Sequence, residues 1–177
     1  MPAAERYRNF ATVFYPDSCA FDQMKDFLTE IHVPVLISPL HDKDYNPTGE
    51  PKKPHWHVMI MFEGKKSKDQ IKKVLEGSGA VGLEIVNSSR SYARYLCHLD
   101  NPEKTRYSED EVTCLNGADF YDIIGTPTNK LKACHEMIDW CNENYVLSYD
   151  LLVDYAKMNR PDWDRVLAYS GLLYVKE

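Results

Sequence analysis

No apolar run in this 177-residue sequence approaches the roughly 20 residues that a bilayer-spanning helix requires. The opening residues Met1-Pro2-Ala3-Ala4-Glu5-Arg6 lack the basic-then-apolar layout of a signal peptide, so no membrane role and a cytoplasmic location are expected. The five cysteines, Cys19, Cys97, Cys114, Cys134 and Cys141, are odd in number and widely spaced. None forms a C-x-x-C pair, which argues against a disulfide framework or a zinc ribbon and for free thiols in a reducing compartment. Cys97 precedes His98 directly, but neighbouring helical residues point apart, so Cys97 reads as a small core residue rather than a nucleophile. No Gly-x-x-x-x-Gly-Lys-Ser/Thr loop is present, which excludes that mode of ATP binding. Internal repeats and low-complexity tracts are also absent. The sequence has no excess of positive charge either: its formal net charge of -6 argues weakly against a nucleic-acid partner.

That acidity is uneven. Residues 1–107 carry 15 Lys+Arg against 14 Asp+Glu, and residues 108–177 carry 6 against 13. Within the first part Lys65, Lys66, Lys68, Lys72 and Lys73 crowd together. Such a run is usually a solvated helix face; its functional alternative is a surface that tracks phosphates.

Periodicity and breakers divide the chain. Tyr7 to Tyr15 is apolar and aromatic and predicts a strand, stopped by Pro16-Asp17-Ser18. Phe21, Met24, Phe27, Leu28 and Ile31 predict a helix over 20–31. Val33 to Leu40 predicts a second strand, and a polar loop follows, broken by Pro47, Gly49, Pro51 and Pro54. His55 to Phe62 predicts a third strand. Ser67 is placed to cap a helix through Glu76, Leu83 to Val86 predicts a fourth strand, and Ser88 or Ser89 caps a helix running to about His98. The order β-α-β-β-α-β, then a helix, predicts an α+β fold: a ferredoxin-like split βαβ with a central antiparallel sheet and its helices on one face. Residues 1–124 form the expected main domain. Residues 125–177 read as a helical appendage or the start of an oligomerisation domain, with helices over 129–144, 148–157 and from Pro161. The trailing Leu172-Leu173-Tyr174-Val175 suggests a packing partner, an interface or core.

His55-Trp56-His57 is the most informative feature. Alternation along a strand sends His55 and His57 to one face and Trp56 to the other. The second and third predicted strands are antiparallel neighbours, so His41, which closes one, lies beside His55, which opens the other. Asp42 and Asp44 follow at once. Three imidazoles and a carboxylate from this group can converge on one divalent ion, and that donor set suits Mn, Zn, Ni or Cu, with carboxylate widening the choice toward Mg and Mn. Asp42 has an alternative role in starting the turn. A candidate nucleophile lies in Ser88-Ser89-Arg90-Ser91-Tyr92-Ala93-Arg94-Tyr95-Leu96-Cys97-His98. Tyrosine serves as a covalent nucleophile, and with a reference pKa of about 10 it needs a nearby cation; Arg94 and Lys104 are available. Spacing alone does not choose Tyr95 over Tyr92, and most of the twelve tyrosines must be core or surface.

Three blocks in order carry a family resemblance: Phe10-Ala11-Thr12-Val13-Phe14-Tyr15-Pro16; Ile37-Ser38-Pro39-Leu40-His41-Asp42-Lys43-Asp44 followed by Lys52-Lys53-Pro54-His55-Trp56-His57-Val58; and Tyr92-Ala93-Arg94-Tyr95-Leu96-Cys97-His98-Leu99-Asp100-Asn101-Pro102-Glu103-Lys104. Together they resemble the plasmid rolling-circle replication initiators of the small Rep type, within the HUH endonuclease superfamily, over roughly residues 7–107. The resemblance implies that His41, Asp44, His55 and His57 bind a divalent metal ion, Mn²⁺ or Mg²⁺, and that Tyr95 is the single nucleophile. It implies nicking of plasmid origin DNA, single-stranded at the nick, to give a 5′-phosphotyrosine and a free 3′-hydroxyl primer. It also implies that the nicking step reverses to rejoin the strand without ATP. Duplex repeats nearby are a further expected contact. Candidate phosphate contacts are Lys52, Lys53, Arg90, Arg94 and the stretch Lys65, Lys66, Lys68, Lys72 and Lys73. A host helicase, a host polymerase and a second copy of the chain are the other expected partners, in a bacterial cytoplasm. Competing readings are a relaxase or single-tyrosine transposase of the same superfamily, a non-catalytic origin-DNA-binding module, and a metallohydrolase that activates water.

Overall fold

The structure is a computed structural model that describes residues 5–125 and 127–169. The segment Leu172–Val175 lies outside the described residues. The chain divides into two compact units, residues 1–124 and residues 125–177.

In the first unit the elements run β1 (Tyr7–Phe14), α1 (Phe21–Glu30), β2 (Val35–Ile37), β3 (Trp56–Lys66), α2 (Lys68–Val74), β4 (Val81–Ile85), α3 (Ser89–Tyr95), β5 (Thr113–Leu115) and α4 (Phe120–Ile124). The five strands form one sheet in the order β4-β1-β3-β2-β5, and every pairing is antiparallel. The first four strands with α1 and α2 make the split βαβ; β5 adds an edge beside β2.

Alternation along β3 builds two cores. Trp56, Val58 and Ile60 face one way and join Phe10, Phe14, Met24, Leu28 and Ile71, so α1 and α2 cover that face. Met59 faces the other way, with Ala11 and Leu36, under Ala93, Leu96, Cys97 and Phe120. Fully burying each large apolar side chain contributes about 1.5–3 kcal/mol. The expectation that the helices lie on one face is therefore corrected. The sequence Ala93-xx-Leu96-Cys97 presents an apolar stripe that needs a cover, and α3 and α4 find it on the second sheet face.

Other boundaries also move. β2 stops at Ile37 rather than Leu40, because Pro39 has no N–H to continue the ladder. Ser38 bridges the gap: its N–H donates to the His57 carbonyl, and its hydroxyl accepts from the His57 N–H, both at 2.9 Å. The ladder resumes as a single bridge between His41 and His55. β3 runs on to Lys66, which pairs with Tyr7 across a bulge. β5 and α4 were not foreseen. Ser67 caps α2 as expected, its hydroxyl accepting from Gln70 N–H, and Ser88 caps α3, accepting from Ser91 N–H.

The second unit holds α5 (Pro127–Glu143), α6 (Tyr149–Asn159) and α7 (Pro161–Tyr169). Ala133, Met137, Val153, Ala156, Trp163 and Leu167 form its core. Trp140 stacks on Tyr155 at 3.9 Å, and Arg160 lies over Trp163 while pairing with Glu136 and Asp162. No helix among the described residues is long and apolar enough to cross a membrane.

Candidate active site

His57 stands on β3 one residue along from Trp56, so the same alternation that buries the indole turns the imidazole to the second sheet face. His55 precedes the strand, and the His41–His55 bridge brings His41 beside it. One ligand nitrogen from each of His41, His55 and His57 lies within 4.8 Å of the others. Asp44 completes a second such group with His41 and His98. His41, Asp44, His55 and His98 are all buried. Asp42, by contrast, is exposed.

Backbone carbonyls fix three of the four ring tautomers. A carbonyl only accepts, so the nitrogen facing it must carry the proton. His41 Nε2 donates to Leu96 O at 2.9 Å, His55 Nδ1 donates to Lys53 O at 2.8 Å, and His98 Nδ1 donates to Thr105 O at 2.8 Å. Each of these rings then turns its other nitrogen into the cluster. Among the described residues His41 Nδ1 and His98 Nε2 are buried with no hydrogen-bond partner, and His55 Nε2 meets His57 Nε2 at 3.2 Å. Unsatisfied buried nitrogens are costly, and carbonyl-locked imidazoles are the usual outer support of a metal ligand set. Asp44 adds the carboxylate, with Oδ2 3.4 Å from His41 Nδ1 and Oδ1 accepting from the Tyr107 hydroxyl at 3.3 Å. These residues fit a divalent cation.

Electrostatics agree with neutral rings. Burial, with lesser repulsion from His98 and His55, lowers His41 to about 4 against the opposing pull of the Leu96 carbonyl and Asp44. Burial and the neighbouring His41, His55, His98 and Lys104 lower His57 to about 3. Tyr107 stacks flat on His41 at 4.3 Å. Burial, and then Asp44, pushes its phenol up to about 12, so it stays a donor.

Tyr95 is the last residue of α3. Its ring lies 5.3 Å from that of His57 and 5.1 Å from that of His98. Lys104 Nζ donates to Tyr95 Oη at 3.0 Å and also lies over the ring at 4.5 Å. Arg94 is occupied elsewhere, in a two-pronged pair with Asp100 at 2.7 and 2.6 Å. Tyr92 sits deeper: its hydroxyl is 3.4 Å from His57 Nδ1, and burial, then the Glu84 charge, raises its phenol well above the usual range. Cys97 is in the core, its thiol pushed up to about 12 by burial.

The basic candidates scatter. Lys52 and Lys53 lie on the approach to β3, where Lys53 pairs with Asp17 at 2.9 Å. Arg90 on α3 donates to Ile124 O. Lys68, Lys72 and Lys73 ride on α2, on the sheet face opposite the histidines, and Lys65 and Lys66 end β3 far from His57. Sequence reasoning passed over His98 and Tyr107. His98 follows Tyr95 by three residues, a spacing that puts side chains on one side, and this was the available signal. A cleft of about 320 Å³ opens beside Tyr95 and His57 and is lined by Ala11, Val13, Gly82, Glu84 and Tyr92 among others.

Residues 2–121 match the family described as plasmid replication protein, origin binding domain. A replication protein of Staphylococcus aureus is 33% identical over 174 residues, which cover 97% of this chain and 87% of the relative. The replication protein RepB of Lactiplantibacillus plantarum is 32% identical over 176 residues, covering 98% of this chain and 79% of the relative.

Proposed function

This chain belongs to the family of plasmid replication proteins that carry this origin-binding domain, and on that premise we propose that it initiates replication by binding origin DNA and nicking one strand with Tyr95. One observation supports this above others. Tyr95 Oη, held by Lys104 at 3.0 Å, stands beside a buried histidine cluster in which His41 Nδ1 and His98 Nε2 have no hydrogen-bond partner among the described residues.

His41, Asp44, His55 and His57, with His98 beside them, would hold Mn²⁺ or Mg²⁺. When bound, such an ion supplies Lewis-acid polarisation of a phosphate oxygen and neutralises its charge. The chain does the rest. Tyr95 Oη bonds to phosphorus as the bond from phosphorus to the 3′ oxygen breaks. The phenolic proton passes to solvent, and the departing 3′ oxygen takes one up to become a hydroxyl. Lys104 stabilises negative charge on Oη during attack and again when that oxygen leaves in the rejoining step, where a preorganised charge is most effective. Tyr92 fixes the orientation of His57. The phosphotyrosine ester conserves the energy of the broken bond, so rejoining needs no ATP. The free 3′-hydroxyl would prime a host polymerase, with unwinding left to a host helicase. Exposed Leu131, Ile138, Leu147 and Leu151 on the second unit offer a surface for a second copy of the chain.

The test mixes the protein with Mn²⁺ and labelled single strands of the plasmid origin, then resolves the products on denaturing gels. A protein-linked strand is expected, and it should vanish in Tyr95→Phe. Free 5′-phosphate without a link, or retention without cleavage, would overturn the proposal.

A further inference from the structure

We infer that the cleft beside Tyr95 reads one nucleobase next to the cut phosphate, and that Glu84 selects there a base carrying an exocyclic amine. The inference rests on the nicking proposal and deepens it.

It starts from a bulge. β4 pairs with β1 through Ala11 opposite Glu84 and Val13 opposite Val81: two residues along β1 face three along β4. The extra residue falls at Gly82-Leu83, where Gly82 takes φ 72°, a conformation that glycine adopts without a steric penalty. Thr12 ties the bulge down, its hydroxyl donating to Gly82 O at 2.8 Å. A regular strand would send residues 81 and 84 to opposite faces. The bulge sends both to the face that carries His57, and bulges re-aim side chains in this way beside active sites.

Position follows from the ladder. Val13 pairs with His57 and with Val81, so the row from the metal ligand crosses β1 to reach β4. Two strand spacings and a two-residue step put Glu84 roughly 12 Å from His57, close enough for the base of a nucleotide adjoining the attacked phosphate. Ala11, Val13 and Gly82 give the cleft a shallow floor, and the rings of Tyr92 and Tyr95 wall it. Aromatic walls of this kind stack bases.

The charge of Glu84 is the discriminating feature. Among the described residues its carboxylate makes no hydrogen bond or ion pair, and it lines a path meant for a polyanion. It repels phosphates, so only a donor group on the incoming strand suits it. An ionised carboxylate accepts and cannot donate. Guanine offers it two parallel N–H donors, and cytosine and adenine each offer an amino group. Thymine opposes it with two carbonyls around a single N–H.

The experiment uses the full chain with Mn²⁺ and a pool of randomised single-stranded oligonucleotides. Covalent adducts are isolated and both sides of each nick are sequenced. Wild type is expected to exclude thymine about tenfold at one of the flanking positions, the scale of one base-edge contact. Glu84→Gln, whose amide both donates and accepts, should readmit thymine, and Glu84→Ala should level the bases. Identical base frequencies in wild type and both variants would overturn the role of Glu84 while leaving nicking intact. No adduct from wild type would overturn nicking and this inference together. As a measurement free of turnover, Tyr95→Phe should bind the thymine-bearing member of four matched strands about tenfold more weakly by fluorescence anisotropy, and equal binding would count against the pocket.

Discussion

Acid applied to the metal-free protein should destabilise it through two named histidines. His41 titrates at about 4 and His57 at about 3 in the folded chain, each lowered chiefly by burial, against a value near 6.5 when unfolded. Above about pH 7 both states are neutral at these positions and no penalty exists. As pH falls through 6.5, the unfolded chain takes up two protons that the folded chain refuses. Unfolding free energy then drops by ~2 kcal/mol between pH 6.5 and 5.5, and by roughly 4 kcal/mol in all by pH 4.5. The loss stops growing once pH passes below the folded values. The assay is urea unfolding in EDTA at closely spaced pH values, for wild type and for His57→Gln. The variant lacks one of the two groups, so its loss should be about half as large: ~1 kcal/mol over the first unit and ~2 by pH 4.5. Carboxylates elsewhere titrate equally in both proteins, so the difference isolates the imidazole. Parallel curves for the two proteins would refute the claim that His57 is held neutral by its surroundings. Mn²⁺ at a hundred times its dissociation constant should add about 2.7 kcal/mol. That gain should shrink in acid, because ligand nitrogens must be unprotonated to bind.

Further outcomes follow from single contacts. Lys104→Met removes the donor to Tyr95 Oη and should slow adduct formation by about a hundredfold without lowering the melting temperature, as read by timed gels and a thermal melt. His98→Ala should weaken Mn²⁺ binding by about tenfold or more in isothermal titration, since it deletes a buried nitrogen that lacks a hydrogen-bond partner among the described residues; unchanged affinity would exclude it from the site. Asn116, at φ 53°, donates to both Leu28 O and Val33 O. Asn116→Ala should therefore cost about 2 kcal/mol of stability in urea melts, with metal affinity unaffected.

The order of the first four strands and the helices between them was legible because each has its own period and its own breaker. β5 was not. Thr113-Cys114-Leu115 is too short to show alternation, and only pairing with β2 makes it a strand. The His55–His57 pair was legible because strand parity is a local rule. His41 became legible through the hairpin, a step that requires only that adjacent strands be antiparallel. The choice of cation for Tyr95 was not legible. Arg94 and Lys104 are equally basic on paper, and Asp100, six residues beyond Arg94, removes one of them. The placement of the basic stretch was not legible for a similar reason: charge density along the chain says nothing about which sheet face its helix will cover, and Ile71 on α2 is drawn to the core opposite the histidines.

His98 shows most clearly where local rules end. The helix pattern carried α3 on to this residue, yet the helix ends at Tyr95 and His98 takes φ 54°, a left-handed conformation that costs a non-glycine residue free energy. Its surroundings enforce it. Leu96 and Cys97 bury into the second core, the Leu96 carbonyl receives His41, and the Cys97 carbonyl receives the N–H of Tyr107, the ring stacked on His41. One turn of chain thus ends the helix at Tyr95, orients one histidine of the buried cluster through a carbonyl, and contributes another. The sheet and its bridge hold His55, His57 and His41, and this turn brings Tyr95 and His98 up to them. The packing of Leu96 and Cys97 therefore holds phenol and cluster in register, and the edge-to-face contacts of Tyr95 with His57 and His98 follow from it.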